Sequence, residues 1–327
     1  MFMDFLLPFF NSLPNAVGQG LIWGIMAIGV YITYRILDIA DLTVDGSLTT
    51  GGAVCAVCIT MGWNPWAALL MAIIAGMLAG LVTGLLHTAC GIPAILAGIL
   101  TQLALYSINL RIMAIGDPNA TTKATLALSV DNDNLLLSSR FVRNVDLSNP
   151  LILLVIVSAV VIALLYWFFG TELGASLRAT GSNPNMSRAQ GINTNFTKVL
   201  GLMLSNGLVA LSSALLAQYQ GFADVNMGRG AIVIGLAAVI IGEVIFGKLF
   251  HNFALKLVAV AIGAILYYLV YQVVIWLGLN TDDMKLITAL IVAAFLAIPY
   301  WKGKYARVKV PAGGAKAEVK TGGEQDA

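Results

Sequence analysis

The sequence predicts an all-α polytopic membrane protein of about nine transmembrane helices (eight to ten), arranged as two inverted repeats with broken helices. Three observations predict it. Hydrophobic residues make up 59% of the 327 residues and charged residues only 10%, with a mean hydropathy of +0.89, whereas soluble domains carry roughly 25% charged residues. Apolar runs of about 20 residues, each able to cross a hydrocarbon core of about 30 Å, recur along the chain. A polar motif near residue 41 also returns near residue 224. The formal net charge of +2, with no basic cluster, points away from nucleic acid as a partner.

Residues 1–14 read as an interfacial N-terminal segment, because Met1 to Phe10 is aromatic, contains Pro8, carries Asp4 and lacks the basic start of a cleavable signal. The membrane domain is expected over 15–304. Its spans fall near 15–35, 44–61, 65–87, 92–114, 150–169, 198–219, 230–247, 254–278 and 284–301. Two halves, about 15–115 and 198–301, flank a loop at 116–149 and a polar loop at 170–197. Residues 305–327 read as a disordered tail, rich in Gly, Lys and Glu.

Charge orients these spans. Arg178, Arg188 and Lys198, then Lys248 and Lys256, then Lys302, Lys304, Arg307 and Lys309 fall on one side of a nine-span chain, which the positive-inside rule makes cytoplasmic. The expected protein is thus a multi-pass protein of the cell membrane, N-terminus outside and C-terminus and tail cytoplasmic. The external 116–149 loop mixes Lys123, Arg140 and Arg143 with Asp117, Asp131, Asp133 and Asp146. A loop of that length is either a rim for an external partner or a disordered connector.

Ala40-Asp41-Leu42-Thr43-Val44-Asp45-Gly46 is similar to Ala223-Asp224-Val225-Asn226-Met227-Gly228, and Gly24 and Ala27 match Gly207 and Ala210 upstream. The spans that precede the motifs run in opposite directions, as in inverted-repeat transporters. Both motifs place polar groups near membrane depth, where they usually face a protein interior or an aqueous cavity. Asp41, Thr43, Asp45, Ser47, Asp224 and Asn226 therefore either line a substrate path and its gates or cap the helices that follow. Asp38 is expected at the interface beside Arg35.

The segment Gly174 to Ile192 interrupts the apolar chain. Asn183 is placed as an N-cap, Pro184 as the first helical residue and Gly191 as a left-handed exit, bracketing a helix of about two turns that needs a partner to hold it. Gly76, Gly80 and Gly84 form a ridge for close helix packing. Gln102 with Asn109, and Asn206 with Ser213, share helix faces and either line a path or bond between helices. Glu243 is placed to pair with Lys248 or touch the 182–191 helix. Cys55, Cys58 and Cys90 read as packing residues, without the neighbours that would complete a metal site. No Walker A sequence, zinc spacing or nucleophile elbow occurs, so no catalytic residues, metal or cofactor are expected.

Leu177 to Asn193, LRATGSNPNMSRAQGIN, resembles the coupling-helix motif of ABC-importer permeases of the branched-chain amino acid and ribose type. Asp41 to Ser47 is similar to a signature after an early span in the same family. The resemblance continues through Ser205 to Gly228 and Ile232 to Glu243 and is nearest the tryptophan/tyrosine transport branch. It implies a permease homodimer, two separate ATP-binding subunits gripping the 170–197 coupling loop, and an extracytoplasmic substrate-binding protein. It also implies a small solute as substrate, an aromatic amino acid first. The coupling residues would be Arg178, Gly181, Asn183, Pro184, Met186, Arg188, Ala189 and Gly191. The competing expectation is a proton-coupled secondary transporter, which shares inverted repeats and broken helices.

Overall fold

The computed structural model describes residues 2–128, 135–137, 150–247, 250, 252–276 and a few positions between 286 and 297. Ten α-helices are defined among the described residues: α1 Phe2–Tyr31, α2 Thr43–Thr60, α3 Pro65–Thr88, α4 Ala94–Ile112, α5 Pro150–Gly170, α6 Glu172–Ser182, α7 Pro184–Ala189, α8 Thr194–Gln220, α9 Ala231–Phe246 and α10 Phe253–Trp276. A π turn, Ile32–Ile36, ends α1. Two strands, β1 Thr125–Ala127 and β2 Phe222–Asp224, pair antiparallel.

Six segments among the described residues are long and apolar enough to span a membrane: Ser12–Ile36, Pro65–Thr88, Ala94–Ile112, Pro150–Gly170, Thr194–Gln220 and Phe253–Trp276. The nine expected spans are thus reached only in part. α9 is 16 residues, about 24 Å at 1.5 Å per residue. α2 fails on polarity, because three threonines, three glycines, Asp45 and Ser47 crowd its first ten residues. The span expected at 284–301 and the tail at 305–327 lie mostly or wholly outside the described residues. The N-terminal boundary also differs, since α1 runs unbroken from Phe2 through residue 14. At 30 residues, about 45 Å, it exceeds the hydrocarbon core.

α1 and α8 form the centre, lying antiparallel. Three side chains of the pair donate hydrogen bonds: Ser205 to the Gly29 carbonyl at 2.8 Å, Ser212 to the Ile22 carbonyl at 2.7 Å, and the Tyr219 hydroxyl to Asn15 Oδ1 at 2.6 Å. In a dry interior such donors must be matched. α3 runs antiparallel to α8 and makes the most extensive helix–helix contact of the fold. Its Gly76, Gly80 and Gly84 meet the Asn206, Leu202 and Val199 region of α8, so the ridge read from the sequence is the packing seam. The opposite face of α3 exposes Leu70, Ile74, Leu78, Val82 and Leu85. α2 runs parallel to α8, and α9 runs parallel to α1 and antiparallel to α10.

A Cβ at Gly80 would collide with the Leu202 carbonyl and stand 2.8 Å from the Met203 Cα. Gly80→Ala therefore wedges α3 from α8 and destabilises the fold by about 1–3 kcal/mol. Gly170 has nothing within 4 Å of such a carbon. In a thermal melt in detergent, Gly80→Ala melts lower while Gly170→Ala matches the native chain; equal melting of the two variants would contradict the seam.

Candidate functional site

The bundle has two distinct ends. At one lie α6, α7 and the π turn; at the other lies the β1–β2 ribbon. Between them, near the middle of α8, two helices begin inside the bundle, α2 at Thr43 and α9 at Ala231.

The residues before Thr43 leave the π turn through Asp38, whose φ of 55° is the one positive value at a non-glycine among the described residues. Asp41, 3% exposed, then closes the turn. Its Oδ1 accepts from the Thr43 backbone N–H at 2.9 Å, and its Oδ2 accepts from Asn206 Nδ2 at 2.7 Å. Asn206 Oδ1 in turn accepts from the Ser47 hydroxyl at 2.6 Å. Thr43, Thr83 and Thr101 continue the polar seam through hydroxyl contacts of 2.7 and 2.9 Å. Every donor in that network is buried, so each bond replaces water that the site excludes. A Cβ at Gly98 would lie 2.8 Å from the Leu42 nitrogen, so α4 closes over the break.

Asp45 works across the gap. Its two oxygens accept from the Gly230 and Ile232 N–H groups, each at 3.0 Å, capping α9 rather than its own helix. A carboxylate at a helix N-terminus satisfies orphan donors and meets the positive end of the dipole. Thr49 donates to the Val225 carbonyl at 3.4 Å, and Gly228 packs directly on the Asp45 carbonyl. The two breaks are thereby one structure, tied by Asp45.

The repeated motifs do not play matched parts. Asp224 lies in β2 at the ribbon end, accepting from the Thr125 hydroxyl at 2.6 Å and from the Asn226 N–H at 2.7 Å, while Asn226 is exposed. Neither joins the Asp41–Asn206–Ser47 network. Part of the 116–149 loop is built structure: Asp117 pairs with Lys123 at 2.7 Å, a contact that holds the Asp117 carboxyl below its usual range, and Thr125–Ala127 pairs with β2. The rest of that loop falls mostly outside the described residues.

At the other end α7 has the local form expected of it. Asn183 Oδ1 accepts from the Asn185 and Met186 N–H groups at 3.1 Å, Pro184 opens the helix, and Gly191 exits at φ 84°. Met186 is 60% exposed, and Arg188 and Ala189 are exposed beside it, while Ser187 is buried. Arg188 Nε also donates to Thr194 Oγ1 at 2.8 Å. Two further candidates make contacts within the chain. Arg178 donates back to the Phe169 carbonyl at 3.0 Å, and Gly181 is pressed onto the Ile36 carbonyl. Helix α6, capped by Thr171, was not anticipated; its Leu177 and Thr180 turn inward, while Glu172, Leu173 and Arg178 are exposed. Glu243 pairs with Arg35 at 3.0 Å, while Lys248, one of the partners expected for it, lies outside the described residues.

Comparison with known proteins places this architecture. A family model described as the permease component of branched-chain amino acid transport systems matches residues 12–298. The tyrosine transport system permease protein of Clostridioides difficile is 43% identical over 287 residues, covering 88% of this chain and 91% of the relative. The ribose import permease protein of Escherichia coli is 25% identical over 282 residues, covering 86% and 83%. Among solved structures, PsaBC from Streptococcus pneumoniae in complex with Fab aligns at a TM-score of 0.53 and 17% identity, over 93% of this chain and all of that one, a likeness of fold. With its six candidate spans, its buried helix breaks and this match over most of its length, the chain belongs to the permease family of branched-chain amino acid transport systems.

Proposed function

We propose that this chain is the membrane subunit of an ATP-driven importer for an amino acid, tyrosine or a chemically similar aromatic one. The observation that carries this reading is the 43% identity to a tyrosine transport permease over nearly the whole of both chains. The α7 end faces the cytoplasm. Arg35, Arg178, Arg188, Lys198 and Lys256 gather there, against Arg111, Lys123 and Arg229 at the ribbon end, a distribution the positive-inside rule favours.

Two ATP-binding subunits grip α7 through Met186, Arg188 and Ala189, in the manner of a short helix set in a groove. The pair α1–α2 and the pair α8–α9 act as inverted halves, a reading supported by their opposed directions. The apolar outer faces of α3, α4 and α5 meet lipid and a second copy of the chain. A binding protein delivers substrate at the ribbon end. The carboxylates of the two breaks shape the path between, Asp41 as a fixed acceptor, since both of its oxygens take N–H donors.

Charge reversal at a docked helix costs several kcal/mol when the partner surface is complementary. Met186→Glu and Arg188→Glu should therefore weaken association with the ATP-binding subunits at least tenfold, read by co-purification, with unchanged melting of the permease. Native association in both charge variants would sink the docking site. Removing the charge at the break, Asp41→Asn, should lower ATP-dependent uptake severalfold without abolishing it, whereas complete loss together with pH-gradient-driven uptake by the native chain would favour proton coupling.

A further inference from the structure

Beside the joined breaks, α2, α4 and the turn after β2 enclose a cavity of about 330 Å³ lined by Asp45, Gln102, Tyr106, Asn109 and Arg229, among others. That volume lies within the roughly 300–1,000 Å³ of small-molecule sites. Two opposite charges line it without pairing with each other: the ion pairs formed among the described residues are Arg35–Glu243 and Lys123–Asp117. The Arg229 guanidinium stands instead over the Tyr106 ring, 5.9 Å from its centroid. Each Asp45 oxygen accepts one backbone N–H and keeps further acceptor capacity.

We propose that this cavity is a subsite for the zwitterionic head of an α-amino acid. The carboxylate meets Arg229, the ammonium meets Asp45, and an apolar or aromatic side chain runs along Tyr106. A simple anion would face the Asp45 charge and a simple cation the Arg229 charge, while a sugar would leave both uncompensated; a zwitterion answers both. Guanidinium–carboxylate bonding is strong and directional. The subsite rests on the amino-acid importer reading and adds a recognition step within the membrane subunit itself.

The test is direct binding to the purified full-length chain in nanodiscs by calorimetry, using L-tyrosine, L-tryptophan and L-leucine, then tyramine and 3-(4-hydroxyphenyl)propionate, which each lack one charge of tyrosine. L-tyrosine should bind, and the two singly charged analogues should bind roughly ten- to hundredfold more weakly, the range of a lost charge-assisted bond. Arg229→Gln should cost L-tyrosine a similar factor while leaving tyramine unchanged. Arg229 is exposed, so this variant folds and its melting confirms it. Equal binding of L-tyrosine and tyramine, undiminished L-tyrosine binding by Arg229→Gln, or binding of none of the three amino acids overturns the subsite. Binding as expected with no ATP-dependent uptake by the assembled complex would instead remove the importer reading and leave the subsite standing.

Discussion

The fold depends on two aspartates that answer for two broken helices. A helix that starts inside a membrane bundle exposes backbone N–H groups where no water can satisfy them, and such breaks persist only with internal partners. Asp41 accepts from the first turn of α2, and Asp45 from the first turn of α9. Because Asp45 belongs to α2 yet caps α9, neither break can shift alone. The Asn206 side chain then locks the pair to the centre of α8, bonding Asp41 and Ser47 together.

Small residues let that arrangement close. Gly51 and Gly52 of α2 bring its backbone and that of α8 together near Ala210 and Ser213, and Gly98 brings α4 over the break. At the α7 end the same device joins the breaks to the surface. Gly181 of α6 rests on Ile36, Gly201 of α8 on Leu37, and Arg35 reaches Glu243 of α9. A displacement of α6–α7 would press backbone on backbone against the π turn that leads to Asp41. π turns recur at functional sites because they loosen the helical ladder locally.

What could be read from sequence was local. The cap Asn183, the proline at 184, the exit at Gly191 and the glycine ridge of α3 each rest on residues within a turn or two of one another. What could not be read was the partner across the fold. Asp45 looks like a cap for its own helix until α9 is placed against it, and Asp224 looks like the twin of Asp41 until β2 carries it to the ribbon. The strand at Thr125–Ala127 has too little pattern to announce a pairing about 100 residues away. Helix α6 was missed because its apolar positions are few and Gly174 and Gly181, which weaken an isolated helix, turn out to be sites of close packing. Gln102 and Asn109 could be read as sharing a helix face, but Arg229 gave no signal of its own, since only the cavity between α2, α4 and the 225–229 turn brings it beside them.

The central claim is that motion in this permease is driven from outside the chain, by ATP-binding subunits acting through α7, and not by a proton on its buried carboxylates. Uptake of labelled tyrosine into proteoliposomes tests it most directly, comparing this chain alone under an imposed pH gradient with the chain assembled with its ATP-binding subunits, a binding protein and ATP. The account predicts accumulation only in the assembled, ATP-supplied vesicles. Gradient-driven accumulation by the chain alone would contradict it.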